Sequence, residues 1–266
     1  MQSVCAVSTL YGSASEQLSD ATELHEAAIA ICINGISQAV MMATPRDLEA
    51  FARGFAISEG LIANASDILD VEAEQIPDGW QADIRVLAAA EHQLKARRRL
   101  MAGPSGCGLC GTDSVSAAIT LPEVTQSTAC VPDEAAIRMA VQQLPEIQKQ
   151  QGCIRGHHGA AFFDLHGCCI ALAEDVGRHS ALDKLIGRLL SQPLNKQQSG
   201  HKSLTGLQGF AVITSRCSHD LIQKSARSGL GNLVTLSPPT DLAVKSARQC
   251  GLKLFCFKRG ELHRFA

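Results

Sequence analysis

The chain has 266 residues, of which 45% are hydrophobic, enough apolar material for one large core or two ordinary ones. Its 24 Lys and Arg face 26 Asp and Glu, so the net charge of -2 provides no overall basic field for nucleic acid or an anionic membrane. One Trp, one Tyr and eight Phe are too few for a surface that stacks single-stranded bases. The composition favours a small ligand or a protein partner.

The amino-terminal segment contains no basic region followed by a long apolar run, which is the pattern of an export signal. We therefore expect a cytoplasmic, soluble protein with neither membrane nor nucleic acid among its partners. In a reducing compartment the 11 cysteines are expected to be free thiols. Most of them lie in apolar stretches, where cysteine packs as a small hydrophobic residue.

Residues 1–20 are small and polar, and we expect a flexible lead there. Residues 21–102 predict a small α+β domain. Within it, Asn34-Gly35 between two apolar runs is a strong signal for a tight hairpin, and Thr44 before Pro45 predicts the N-cap of a helix. The expected elements, in chain order, are strands over 27–33 and 38–42, a helix from Thr44 to about Gly60, and strands over 67–74 and 82–87.

Residues 103–266 predict an α/β domain, because helical and strand patterns alternate along them. This alternation also favours strands that are partly parallel. The expected elements are a helix from Pro132 to Leu144, a hairpin of strands 160–165 and 168–172 about His166-Gly167, a helix over 180–190, and then strands over 210–214, 233–236 and 252–257 separated by helices over 220–227 and 241–249.

The loop that opens this second domain, Gly103–Gly111, contains Cys107 and Cys110 in a CxxC pattern with glycine on both flanks. The glycines let the backbone turn sharply and point amides at a sulfur, and a CxxC setting commonly lowers a thiol pKa. Cys107 is therefore a candidate nucleophile that could carry a persulfide. From the residues alone, half of a structural zinc site and a pair of buried thiols remain as alternatives.

Two other protein classes use a similar cysteine pair. A thioredoxin-like pair is expected early in a βαβ unit, whereas this one follows a complete α+β unit. Zinc deaminases combine P-C-x-x-C with H-x-E, and none of the nine His here is followed two residues later by Glu. Since one CxxC also lacks a full four-ligand set, we expect no metal of the protein's own. His157-His158, on a turn, favours a structural role over a metal site.

A second constellation, Glu174–Lys184, concentrates charge and one His where an apolar strand leads into an amphipathic helix. Helix amino termini present backbone N–H groups to anions, and Arg178 could add positive charge. The alternative is an ordinary capped helix with solvated charges. As a candidate site for a pyrophosphate or a partner, this junction comprises Asp175, Gly177, Arg178 and His179.

Several of these segments together resemble one known family. They are MATPRD at Met42–Asp47, GFAISEGLI at Gly54–Ile62, the CGLCG loop, and EDVGRHSALDK at Glu174–Lys184, and the similarity extends from about Asn34 to the carboxyl terminus. The chain resembles the formate dehydrogenase accessory sulfurtransferase family, FdhD. The chain departs from that family's usual pattern at Arg155, His157, Cys217 and Phe265.

The resemblance implies a sulfurtransferase that takes sulfur from a cysteine desulfurase and passes it to the molybdenum bis(molybdopterin guanine dinucleotide) cofactor, which is bound as substrate before insertion into the formate dehydrogenase catalytic subunit. A non-enzymatic chaperone that only shields this cofactor is the alternative, and a zinc-dependent deaminase-like hydrolase is a weaker one. The resemblance also implies a cytidine-deaminase-like second domain, and we expect a homodimer.

Carried over by position, the family's persulfide cysteine is Cys107, and Cys110 is the second cysteine of that motif. GDP or GMP is expected to bind as a fragment of the cofactor. The residues implied to contact it near the carboxyl terminus are Phe257, Lys258, Arg259, Gly260 and Glu261.

Overall fold

The computed structural model describes residues 24–98, 129–152, 156–192 and 204–266. These residues form two β-sheets with helices, so the expected mixed α/β class is confirmed. The expected lead, the boundary between residues 102 and 103, and the loop with Cys107 and Cys110 lie outside the described residues. The likeness of the second unit to cytidine deaminases stays a prediction.

The first sheet has four strands in the order β2-β1-β4-β3. The predicted hairpin is confirmed, because Asn34 and Gly35 turn the chain with φ of 48° and 73° and β1 pairs antiparallel with β2. Its strands are β1 (Ala27–Ile33), β2 (Ile36–Ala43), β3 (Ile68–Ile76) and β4 (Gly79–Val86), and its helices are α1 (Leu48–Ser58), a short 3-10 helix (Ala65–Asp67) and α2 (Ala88–Arg98).

The predicted N-cap of α1 is wrong. The helix begins only after Asp47, which adopts a left-handed conformation with φ of 53° and makes no side-chain capping bond. Thr44 is buried instead, with 2% of its surface exposed, and its polar groups bind residues of the second unit. A long-range contact has therefore replaced the local cap.

The second sheet has six strands in the order β10-β9-β8-β7-β5-β6. Its elements are α3 (Glu134–Gln150), β5 (His158–Phe163), β6 (Cys169–Asp175), α4 (Arg178–Ser191), β7 (Phe210–Ile213), α5 (His219–Ser228), β8 (Asn232–Thr235), α6 (Asp241–Cys250), β9 (Lys253–Lys258) and β10 (Glu261–Arg264). The predicted strands and helices are confirmed here, except that α3 continues through Pro145 and that β10 was not expected.

The strand directions decide which residues share an edge of this sheet. Strands β7, β8 and β9 are parallel, and β5 is antiparallel to both β6 and β7. The carboxyl ends of β6, β7, β8 and β9 therefore lie on one edge together with the amino end of β5. We call this the carboxyl edge; it is marked by Asp175, Ile213, Thr235, Lys258 and His158.

Helices cover both faces of the six-stranded sheet. On one face, α3 packs through Ile137 and Leu144 against Phe163 and Phe210. On the other face, α4, α5 and α6 bury residues such as Leu182 against the sheet. Helix α1 of the first unit packs against α4, so the first sheet lies outside this helical layer. The two sheets are thus joined through a pair of helices.

Helices α1 and α4 cross with a short distance between their backbones, and each helix places a glycine at the contact. A Cβ atom placed on Gly54 would lie 1.8 Å from the carbonyl oxygen of Asp183, and one on Gly187 would lie 1.8 Å from that of Ala50. Any side chain at either position would collide with backbone rather than with a movable side chain. Glycine therefore sets the distance between the two units.

Buried charges flank this crossing. The Nζ of Lys224 lies 2.8 Å from Asp183 Oδ2 and 2.7 Å from Glu59 Oε1, and it donates to Ser58 Oγ at 3.1 Å. Burial acts to lower the pKa of Lys224, but the two carboxylates together raise it above the ordinary value. Lys224 therefore stays charged, and its three partners come from both units.

No helix among the described residues is both long and apolar enough to cross a membrane.

We predict that Gly187→Ala destabilises the protein by about 3 kcal/mol, because the added methyl group has to push the helices apart. Urea denaturation followed by circular dichroism measures the loss. Gly35→Ala is the matched control: it is strained by its φ of 73° but meets nothing within 4 Å, so it should cost about 1 to 2 kcal/mol. A Gly187→Ala protein as stable as the wild type would contradict the close crossing.

Candidate functional site

The carboxyl edge carries both stretches that the sequence nominated for ligand binding. The junction Asp175–His179 follows β6, and the stretch Phe257–Glu261 follows β9. Strands β6 and β9 are four positions apart in the sheet order, which corresponds to about 19 Å at the usual strand spacing. The structure therefore places the two stretches on the same edge without joining them into one pocket.

The carboxyl-terminal stretch is the tight turn between β9 and β10. Arg259 and Gly260 have φ of 53° and 81°, and Lys258 pairs with Glu261 across the turn. All four of these residues are exposed. The side chains of Lys258 and Arg259 are thus accessible to an anion.

Arg138 on α3 supports this turn. Its Nη1 donates to the carbonyl oxygen of Gly260 at 2.7 Å, and its guanidinium carbon lies 5.3 Å from the centre of the Phe257 ring. No sequence motif marks Arg138, because it lies in a separate helix far earlier in the chain. Its position adds a third cation beside Lys258 and Arg259.

At the β6–α4 junction, Asp175 is fully buried and all its bonds are internal. Oδ2 accepts from Thr44 N at 3.0 Å and lies 2.6 Å from Lys184 Nζ, while Oδ1 accepts from Gly177 N at 2.8 Å. Burial lowers the pKa of Lys184, although Asp175 opposes this effect. Asp175 therefore holds the loop in place, and the groups left to meet a ligand are on the residues that follow it.

Those residues begin α4. Gly177 is its N-cap and has no side chain to accept from the first N–H groups. Arg178 is exposed, and the amino end of a helix carries partial positive charge. A helix start without a side-chain cap, next to an exposed guanidinium, suits a phosphate or another anion.

The start of α5 lies next to this helix start. His179 Nε2 is 3.5 Å from Asp220 Oδ2, and Ser218 Oγ donates to the same oxygen at 3.3 Å. The contact with His179 is the main cause that lowers the pKa of Asp220. Burial lowers the pKa of His158, and the nearby positive charge of Arg178 lowers it further. His158, Arg178, His179 and Asp220 therefore form one cluster.

The sequence predicts a helix that begins at Asp220 but assigns that residue no role. Asp220 could have been found from the strand order, because it follows β7 and the carboxyl ends of parallel strands lie on the same edge of a sheet. The motif alone does not reveal that β6 and β7 are parallel with β5 between them.

His219 and Cys217 have structural roles. Ser246 Oγ donates to Leu242 O at 2.8 Å, so the proton between Ser246 and His219 Nδ1, 2.7 Å apart, is assigned to the imidazole. Cys217 is completely buried, and burial raises its pKa. A thiol of this kind is a poor nucleophile.

Other described cysteines are also packing residues. Burial raises the pKa of Cys169 to about 11 and raises the pKa of Cys32 and Cys250. Cys130 differs, because it is exposed. Cys107 and Cys110, the predicted reactive pair, lie outside the described residues, so their role stays a prediction.

The remaining departures from the family pattern fall in separate places. His157 Nε2 lies 3.3 Å from Thr44 Oγ1 at the contact between the units. Phe265 packs against the core of the second unit, and its carbonyl oxygen accepts from Arg248 at 3.1 Å. Arg155 lies outside the described residues. Within the described parts of the chain, no three His, Cys, Asp or Glu are grouped as metal ligands.

A cleft of about 650 Å³ separates the two units near the start of β6 and the end of α4. Pro45, Arg53, Trp80 and Arg188 line it. Arg188 donates to the carbonyl oxygen of Leu172 and pairs with the carboxylate of Asp47, the N-cap residue of α1. It therefore holds the walls of the cleft together. None of the nominated site residues that the structure describes lines this cleft.

We predict that the protein loses stability as the pH falls below about 6.5. Burial lowers the pKa of His157 and His158 from the ordinary value of 6.5, so the unfolded chain binds protons that the folded chain excludes. The free energy of unfolding, from urea titrations between pH 8 and pH 5, should fall less steeply in His157→Gln. At pH 8 the imidazole is neutral in both the folded and the unfolded chain, so protonation of His157 then contributes nothing to the difference in free energy of unfolding between the wild type and the variant. An unchanged slope in the variant would contradict this origin.

The chain is similar to known proteins over most of its length. The model of the FdhD/NarQ family matches residues 24–265. The protein named sulfur carrier protein FdhD in Burkholderia mallei is 41% identical over 240 residues, covering 87% of this chain and 83% of that protein. The one in Chromobacterium violaceum is 40% identical over 239 residues, covering 88% and 85%.

A solved structure has the same fold. It is that of a protein from Desulfotalea psychrophila assigned as a formate dehydrogenase accessory protein, with a TM-score of 0.62 and 21% sequence identity over 91% of this chain and 86% of that chain. Both the family match and the relatives extend over most of the residues that build the two sheets. This chain belongs to the FdhD/NarQ family.

Proposed function

We propose that this protein is a sulfur carrier that delivers persulfide sulfur to the molybdenum bis(molybdopterin guanine dinucleotide) cofactor for formate dehydrogenase. The observation that supports it most is the 41% identity with a sulfur carrier protein over 87% of the chain, together with the CGLCG loop around Cys107. In the loading step, the Cys107 thiolate attacks the terminal sulfur of a cysteine desulfurase persulfide, and the desulfurase thiolate leaves.

The carboxyl edge is the proposed site for the cofactor. Arg178 at the start of α4 and Lys258 with Arg259 at the β9–β10 turn are exposed cations, and the cofactor carries a pyrophosphate on each of its guanine dinucleotides. A spacing of about 19 Å between β6 and β9 suits an extended ligand with two anionic groups. In this arrangement the cofactor is substrate, and Asp175 acts by holding the junction.

The partners follow from the same proposal. A cysteine desulfurase supplies sulfur, the formate dehydrogenase catalytic subunit receives the loaded cofactor, and the protein acts as a homodimer in the cytoplasm without a metal of its own. These assignments are supported by the family membership.

Cys107→Ser is expected to abolish sulfur loading, because a hydroxyl does not form a persulfide. Intact-mass analysis after incubation with a desulfurase and cysteine measures the added sulfur, and reactivation of formate dehydrogenase measures delivery. Cys110→Ser should have a comparable or milder effect. The matched control is Cys130→Ser, which removes an exposed thiol outside the motif and should load normally. Undiminished reactivation by Cys107→Ser would favour a chaperone that only binds the cofactor.

Nucleotide binding is expected to depend on the β9–β10 turn. Lys258→Ala with Arg259→Ala should weaken GDP binding by roughly tenfold to a hundredfold, because charge-assisted contacts to phosphate are lost. Calorimetric titration of GDP measures this loss. Arg85→Ala removes an exposed cation from the first sheet and should leave the affinity unchanged. Equal affinities for wild type and the double variant would move the nucleotide site to the Asp175–His179 junction.

A further inference from the structure

Thr44, the residue after β2 in the first unit, binds the β6–α4 junction and α4 itself through its polar groups, and its hydroxyl also lies 3.3 Å from His157 Nε2. Its N–H donates to Asp175 Oδ2 at 3.0 Å, and its carbonyl oxygen accepts from Lys184 Nζ at 2.8 Å. Its hydroxyl oxygen accepts from the N–H of Val176 at 3.2 Å. Thr44 lies just after β2, so a residue of one sheet is bonded to the loop that follows a strand of the other.

These contacts fix three successive residues of the loop. Asp175 is held through its carboxylate, Val176 through its N–H, and Gly177 through its N–H, which donates to Asp175 Oδ1 at 2.8 Å. Asp175 and Lys184 are fully buried, so water does not compete for these bonds. Removing the Thr44 hydroxyl would take this partner from the partly buried N–H of Val176, which is costly, whereas the backbone bonds of Thr44 to Asp175 and Lys184 would remain.

The fixed loop leads directly into the groups that face outward. Gly177 is the N-cap of α4, and Arg178 and His179 are its first residues. Because the backbone conformation of residues 175–177 sets the direction in which α4 begins, a change there also moves Arg178 relative to His158 and Asp220. The charge of Arg178 already acts on His158.

We propose that Thr44 is a positioning residue of the carboxyl-edge site, so that the first unit sets the geometry of Gly177, Arg178 and His179. The inference that Thr44 controls this geometry stands on the hydrogen bonds, and only its consequence for nucleotide binding rests on the proposed function. The competing explanation is that Thr44 merely contributes stability at the contact between the units.

The test compares Thr44→Val, which keeps the shape and removes the hydroxyl, with Thr44→Ser, which restores it. The pKa of His158, followed by NMR and assigned with His158→Gln, depends first on its burial and then on the charges of Arg178, Asp175 and His179, so a change in it reports movement of the groups at the start of α4. We expect the pKa of His158 to rise towards its ordinary value in Thr44→Val and to match the wild type in Thr44→Ser. The matched control is Ser58→Ala, which removes another buried hydroxyl at the same contact, where Ser58 Oγ donates to Asp183 Oδ1 at 2.6 Å.

Ser58→Ala should lower stability without moving the His158 titration. A folded Thr44→Val protein with the wild-type titration would overturn the proposal, and so would an equal shift in Ser58→Ala. If Thr44→Val does not fold, Thr44→Cys and Thr44→Ser decide instead, because both lose the methyl group and only serine keeps a strong acceptor.

A second readout is the GDP affinity that remains in the Lys258→Ala, Arg259→Ala background, where the β9–β10 turn no longer contributes its charges; it should fall roughly fivefold further in Thr44→Val and stay unchanged in Thr44→Ser and Ser58→Ala. An unchanged His158 titration in folded Thr44→Val overturns the positioning role of Thr44, whatever happens to the GDP affinity. Absence of GDP binding by the wild-type protein would instead contradict the proposed cofactor site, and the His158 titration would still decide the role of Thr44.

Discussion

The close crossing of α1 and α4 is the constraint on which the arrangement of the two sheets depends. Gly54 and Gly187 let each helix backbone approach the other to a distance that no side chain would permit. At this separation Ser58 reaches the Lys224–Asp183 pair, and Thr44 reaches Asp175. Buried charges are costly unless they are fully paired, and here the partners come from both units. The glycine contact and the charge pairs therefore depend on each other.

The directions of the strands explain why the candidate site lies at one edge of the second sheet. Four strands end there, and the helices α4 and α5 begin there, so their amino ends and the groups of His179 and Asp220 meet. The β9–β10 turn lies at the same edge but near the opposite end of the sheet from β6, and Arg138 supports it there. Under the proposed function, this separation matches a ligand whose anionic groups are far apart.

Local patterns predicted the secondary structure well where the cause is local. Asn34-Gly35 forms a hairpin because both residues tolerate positive φ, and α6 ends at Gly251 in the left-handed conformation for the same reason. The N-cap predicted at Thr44 is wrong because its hydroxyl oxygen, the group that would cap the helix, accepts instead from the N–H of Val176 after a distant strand. Pro45 was a correct sign of a nearby helix, but the helix begins after Asp47.

For the site, the residue types and motifs by themselves determined the α/β class, the family resemblance and the nomination of Cys107, Arg178 and Lys258, because these depend on spacing along the chain. Only the tertiary structure decided that Asp175 is buried and stabilises the β6–α4 junction, and that Arg138 and Asp220 belong to the carboxyl edge. The physical reason is that burial and hydrogen-bond partners are set by strand order and helix packing, which join residues more than a hundred positions apart.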